Sequence, residues 1–285
     1  MSKFTPETIF ENLLFSTIKI NVKYLDGKEG SGTGFIFGYE IGKDKLANFI
    51  VTNKHVIENS EYGELLFHVQ KINERSALLG KSLTIQMDEF EKGWVKHQNG
   101  DIDIAVMAIT EKMIDNIRTE DKDIFYISIP NSIIPTEDEL RTKVDAIEDV
   151  IFIGYPKGIY DRKNLMPIVR KGITATPIAI DFEGKPQFLI DGSVYPGSSG
   201  SPVFICNIGS YPLRGGMVVG NRIIFLGVLS AVHTYPEGID FIELPSVKIP
   251  GMYYSQLLNL GVVYKSKLII EIIQKIIDEK LYKIE

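Results

Sequence analysis

Ser199 stands in the run Tyr195-Pro196-Gly197-Ser198-Ser199-Gly200-Ser201-Pro202-Val203, a short turn bounded by prolines. Gly197 and Gly200 allow backbone conformations that a side chain forbids. Such a turn can point one hydroxyl outward and aim backbone N–H groups at one spot. That is the geometry an acyl-transfer nucleophile and its oxyanion hole require. Taken alone, the same letters read as an ordinary Gly/Ser/Pro loop. A neutral serine is a weak nucleophile. It needs a histidine as general base, and a buried carboxylate to hold the imidazole tautomer and stabilise its charged form. Both residue types stand upstream. His55 follows the apolar run Phe49-Ile50-Val51, and two aspartates stand in Gly100-Asp101-Ile102-Asp103-Ile104-Ala105-Val106. Each interval is long enough for several strands, so convergence in space is feasible.

The elements that must position these residues read as strands. Ile18, Ile20 and Val22 alternate with polar residues, a period of two. The glycine-rich run Gly30–Phe37 enters a further strand; it lacks the lysine and following helix of a phosphate loop. Short apolar runs follow at Leu65–Val69, Leu83–Met87 and Ile102–Ile109. A second series runs through Val150–Gly154, Pro167–Thr176, Phe188–Asp191, Val203–Ile205, Met217–Val219 and Ile223–Val232. Two series of short strands predict an all-β chain of two barrels or sandwiches. Proline-marked residues 131–146 are expected to link a first β-barrel over 18–130 to a second over 147–264. Helical patterns bracket the barrels. One, capped by Thr5, is expected over 5–17, and an amphipathic one within 265–285, from Lys267 to Ile284.

Composition narrows the function classes. The chain has 285 residues, 44% of them hydrophobic and 24% charged, enough for a sizeable core. Its formal net charge is −6 with no long basic run, which argues against nucleic acid as the main partner. No apolar stretch is long enough to span a bilayer. The N-terminus carries acidic residues where a signal peptide has its apolar region, so a cytoplasmic setting is expected. The one cysteine, Cys206, lies in an apolar strand-like run and reads as inert filler. His68, His97 and His233 show no metal-ligand spacing and read as structural or solvated. No metal or other cofactor is expected.

Three runs carry a resemblance. Val51-Thr52-Asn53-Lys54-His55-Val56-Ile57, Asp103-Ile104-Ala105-Val106 and Gly197-Ser198-Ser199-Gly200-Ser201-Pro202 resemble the histidine, aspartate and serine boxes of chymotrypsin-fold serine proteases, in that family's order. Within it the chain most resembles bacterial HtrA-like proteases. Ile153-Gly154-Tyr155-Pro156, Gly172-Ile173-Thr174-Ala175 and Asn259-Leu260-Gly261-Val262-Val263 add to that likeness. The resemblance implies two antiparallel six-stranded β-barrels with a short helix at each end. It implies Ser199 as nucleophile, His55 as general base and Asp103 as orienting acid. Asp101 is a rival that the following Ile-Ala-Val disfavours. It implies an oxyanion hole from the N–H groups of Gly197 and Ser199, with Ser198 as a further candidate. Ser230, with Ala231 and Val232, would pair with substrate backbone, and Ser230 would also support the acid. Ser193 would lie at the base of the primary pocket.

The departures matter too. Ser198 stands where the family usually has Asp or Asn, and Ser201 replaces a glycine. An uncharged Ser198 cannot pair with a freed N-terminal amine, so zymogen-style activation is not expected. Lys54 replaces the usual alanine before the histidine. The second barrel and final helix are expected to use up the residues after Ser199, so no PDZ domain is expected among them. Ser193 brings no charge to the pocket, and a small or medium apolar residue at the cleavage point is the expectation. The resemblance implies a serine endopeptidase acting on protein or peptide substrates. The rival is a silent or partner-activated peptide-binding module on the same fold, with the terminal helices available to an oligomer or activator. An esterase using the same residues is a third reading.

Overall fold

In the computed structural model, alternation of apolar and polar residues produces strands in two bodies, one on each side of a central seam. The structure describes residues 2–42, 45–213, 215–238 and 253–279, and the side chains of 231–238 and 253–258 are also outside the description. The first body is a nine-stranded sheet. Its path runs Lys122–Phe125, Ser60–Lys71, Thr17–Tyr24, Glu29–Gly42, Lys45–Thr52, Ala105–Ala108 and Val95–Lys96. Ser82–Asp88 pairs antiparallel with Ser60–Lys71, and Ile129–Pro130 pairs parallel with Glu29–Gly42. The second body is a closed barrel of Asp149–Gly154, Ile168–Thr174, Gln187–Gly192, Tyr253–Lys265, Arg222–Gly238 and Pro202–Asn207. The chymotrypsin-like, mostly β architecture stands, with one refinement. Closure into a six-stranded ring belongs to the second body alone. In the first, the end strands Lys122–Phe125 and Val95–Lys96 do not pair with each other.

Local chemistry shifts several expected boundaries. The first helix is Ile9–Leu14, not residues 5–17. Thr8, not Thr5, caps it: its hydroxyl accepts from Glu11 N while the Glu11 carboxylate accepts from Thr8 N. Thr17 already belongs to a strand. The linker contains a helix, Glu137–Thr142, closed by the same capping box through Thr136 and Glu139. Its Leu140, with Val144, is buried in the second core. The run Ile102–Ile109 becomes a strand only from Ala105, which leaves Asp101 and Asp103 in a loop. Met217 and Val219 lie outside the barrel, on the exposed hairpin Ser210–Leu213 with Gly216–Val219.

The final helix, Lys267–Asp278, buries Leu268, Ile269, Ile272, Ile273 and Ile276 at helical spacing. They meet Phe35, Phe49 and Val106 of the first body and Phe204, Phe225 and Val228 of the second in one continuous core. Residues 280–285, which the sequence pattern included in this helix, lie outside the described residues. The helix thus closes the seam between the bodies, and the candidate site lies across that seam. No helix among the described residues is long and apolar enough to cross a membrane.

Candidate active site

Strand register brings the histidine and aspartate together. Thr52, the last residue of its strand, pairs with Ala105, the first of the neighbouring strand. His55 lies just past the first and Asp103 just before the second. The chain turns at Asn53 into the short helix Lys54–Ile57. The Asn53 side chain does not cap that helix; its Nδ2 donates to the Asp103 carbonyl at 2.6 Å. The aspartate loop is thereby tied to the histidine turn. His55 N donates to Asp103 Oδ1 at 3.0 Å, and Nδ1 lies 2.6 Å from Oδ2. Ser230 Oγ donates to the same Oδ2 at 2.5 Å. Burial pushes the Asp103 carboxyl up, but His55, the Ser230 hydroxyl and the His55 N–H outweigh it and hold the pKa below the usual value. An ionised Asp103 requires the proton on Nδ1 of His55, leaving Nε2 as an acceptor. Asp101 does not compete. It is exposed, its carboxylate makes no hydrogen bond among the described residues, and its carbonyl accepts from Tyr264 OH at 2.8 Å.

The serine turn is fixed from both bodies. Gly197 and Gly200 have φ of +87° and +88°. A Cβ on Gly200 would lie 1.9 Å from the Thr33 carbonyl oxygen, so only glycine fits. Thr33, fully buried in the first body, grips the turn twice. Its N–H donates to Ser199 O at 2.9 Å, and its hydroxyl donates to Gly197 O at 3.0 Å. The same hydroxyl accepts from Tyr155 N, and Thr52 Oγ1 donates to Thr33 O. Lys157 adds a third hold: its N–H donates to Pro196 O at 2.6 Å, from a left-handed backbone at φ +49°. In a trans peptide the C=O and the next N–H point in opposite directions. With Pro196 O turned to Lys157, the Gly197 N–H faces away from it. Neither the Gly197 N–H nor the Ser199 N–H has an acceptor among the described residues. The Ser198 N–H differs from the expectation for it. It donates to Tyr195 O at 2.9 Å and is not free for a ligand.

Ser199 is linked to the aspartate through Ser230. Its hydroxyl donates to the Ser230 carbonyl at 2.8 Å, not to His55. The strand bearing Ser230 is laced to the turn, with Gly200 N on Leu229 O and Leu229 N on Ser201 O. Ser198 Oγ and Ser201 Oγ are buried with no partner among the described residues. Gly154, by lacking a Cβ, leaves room for Ser201 Oγ and Thr33 Oγ1.

The remaining expected residues fall as follows. Ser193 is exposed and its carbonyl accepts from Arg170 Nη1 at 3.0 Å. The side chains of Ala231, Val232 and His233 lie outside the described residues. His68 is buried edge-on to Phe15, and burial pushes its pKa down to about 4. His97 bonds Glu271 on the final helix. Burial pushes the Cys206 thiol up to about 12, which leaves it unreactive. Among the described residues no three His, Cys, Asp or Glu side chains gather as a metal site. Sequence reasoning missed Thr33, Asn53 and Lys157. Asn53 adjoins His55 and Thr33 sits in the glycine-rich run, but their roles depend on contacts across 50 and 164 residues.

Comparison with known proteins bears on the same region. No curated protein matches the chain. Among solved structures, an HtrA-type protease, AlgW, determined with a tripeptide, superposes with a TM-score of 0.48 at 16% identity, covering 94% of this chain and 62% of AlgW. The Rv3671c protease from M. tuberculosis, in its active form, gives 0.43 at 16% identity, covering 95% of this chain and 88% of that one. Deg5 gives 0.43 at 18% identity, covering 78% and 82%. This chain thus spans less than two thirds of the length of AlgW. The family model for the trypsin-like peptidase domain matches residues 32–209, from the glycine-rich strand that grips Ser199 to beyond the serine turn, and the chain belongs to that family.

Proposed function

We propose that this chain is a serine endopeptidase that cleaves peptide bonds through an acyl-enzyme intermediate. The observation that carries this reading is the link through Ser230 between the Ser199 hydroxyl and the His55–Asp103 pair, beside two N–H groups of the serine turn that have no acceptor among the described residues. In the first step Ser199 Oγ bonds to the substrate carbonyl carbon while its proton passes to His55 Nε2. This requires the hydroxyl to leave Ser230 O and turn its proton toward His55. The carbonyl oxygen becomes an oxyanion facing the N–H groups of Gly197 and Ser199. Each such donor typically contributes about 3 kcal/mol to the transition state. Asp103 keeps the imidazole oriented and stabilises its charged form. The C–N bond then breaks, and the amine leaves with the proton from Nε2. Water repeats the sequence, giving its proton to His55 and its oxygen to the acyl carbon, and Ser199 is restored. The chemistry uses side chains and backbone N–H groups of this chain, with no cofactor in any step.

One observation favours the second reading, a silent or partner-activated binding module: the resting Ser199 hydroxyl is bonded to Ser230 O. A fluorophosphonate probe separates the two. The protein is expected to label stoichiometrically at Ser199, and the Ser199→Ala variant not at all. Failure of the unmodified protein to label at any pH from 6 to 9, with or without a peptide present, would rule the endopeptidase out.

A further inference from the structure

A run of positive charge lies directly against the serine turn. Between Lys157 and Lys171 stand five lysines and arginines and one acid, Asp161, in a chain of net charge −6. The acid is engaged within its own loop, where its carboxylate accepts from Lys163 N, Asn164 N and the Asn164 side chain. Lys171 pairs with Asp149. Lys157, Arg162 and Arg170 have no acidic partner among the described residues.

Two of these cations are held at Tyr195, four residues before Ser199. The Arg170 guanidinium lies 4.8 Å from the Tyr195 ring centroid, and Lys157 Nζ 5.3 Å. Arg170 Nη1 donates to Ser193 O, so the guanidinium is fixed against the segment entering the turn. Its Nε is buried with no acceptor. Lys157 is exposed, and its own backbone N–H holds Pro196 O. Arg162 extends the charge toward Lys19, whose ammonium lies over Tyr160. Burial lowers the Lys19 pKa, and the nearby Arg162 charge lowers it further. A solvated surface with charges of both signs would need no ligand. Here Arg170 and Lys157 are held against Tyr195, and neither they nor Arg162 has an acidic partner among the described residues.

We infer that the site takes acidic polypeptide segments, with substrate Asp or Glu side chains seated on Arg170, Lys157 and Arg162. This rests on the endopeptidase reading for cleavage, but not for binding. It stands beside the expectation, drawn from the uncharged Ser193, of an apolar residue at the cleavage point. The charge comes from the 157–171 segment and not from position 193.

Binding to the Ser199→Ala protein tests it without requiring turnover. The probe is a fluorescein-labelled peptide of alternating Glu, Asp and Ala, against the same peptide with Gln and Asn. The acidic peptide is expected to bind at least about tenfold tighter at low salt, with the advantage shrinking as salt screens it. Lys157→Glu with Arg162→Glu is expected to remove that advantage. Both residues are exposed, and circular dichroism checks that the variant is folded. Equal affinity for the two peptides, or an advantage that survives the double reversal, overturns the inference. Fluorophosphonate labelling of Ser199 is a separate result, so the failure of one reading is distinguishable from the failure of the other.

Discussion

Thr33 touches none of the reacting groups, yet three of its atoms hold the turn that carries Ser199 or its surroundings. Replacing it with valine keeps the shape and removes the hydroxyl. Gly197 O and Tyr155 N would then each lose a buried partner. Loss of such bonds typically costs about 1–3 kcal/mol per group. The turn would be loosened between Gly197 and Ser199, whose N–H groups are the proposed oxyanion donors. Thr33→Val is expected to lower kcat about a hundredfold with little change in KM, and Thr33→Ser to restore most of it. Equal kcat for Thr33→Val and the unmodified protein would show that the grip does not position the turn. At this scale the sequence was partly readable. Residue types and order pointed to His55, Asp103 and Ser199. They did not show that the Ser198 N–H is consumed by Tyr195 O, or that Ser199 rests on Ser230 O. Those facts depend on peptide-plane orientation, which no residue letter encodes.

At the scale of elements, strands and the final helix were legible from period alone, because each buries one regular face. What period could not reveal was pairing. The end strands of the first sheet read like any others, and nothing local says that they stay apart. The helix Glu137–Thr142 was hidden by prolines on its approach, although Thr136 and Glu139 spell a capping box. The final helix is the element most exposed to test. Ile273 is fully buried between the bodies. Ile273→Ala removes apolar atoms from a packed core and is expected to destabilise by about 2–5 kcal/mol. Chemical denaturation measures this, and a change below half of the lower figure would mean that the helix is dispensable to the core. Lys275→Ala, half-buried on the same helix, is the comparison that should leave stability nearly unchanged.

The whole molecule is expected to respond to pH through a group remote from the candidate site. His68 is buried in the first body, with a folded pKa of about 4 against an ordinary value of 6.5. A group with a depressed folded pKa gives stability that is full above its unfolded value and is lost on acidification. The window is therefore from about pH 6.5 down to 4, and the loss is on the order of 3 kcal/mol. Asp103, also depressed, adds its loss only lower, as pH falls below the ordinary carboxylate value of 3.8. His68→Phe keeps the aromatic contact with Phe15 and removes the titration. Its melting temperature is expected to stay flat between pH 6.5 and 4.5, where that of the unmodified protein falls; parallel curves would discount His68.

The helix Lys267–Asp278 has a consequence for how the protein is made. Its apolar face packs on the strands Val95–Lys96 and Ala105–Ala108 of the first body. A ribosome delivers those strands long before it delivers the helix. During synthesis the seam side of the first body stays bare, and so does a large part of the shared core. The His55 turn and the Asp103 loop lie next to those strands. The nascent first body therefore waits with an open apolar flank, and the grip of Thr33 on the serine turn forms only after the second body has arrived.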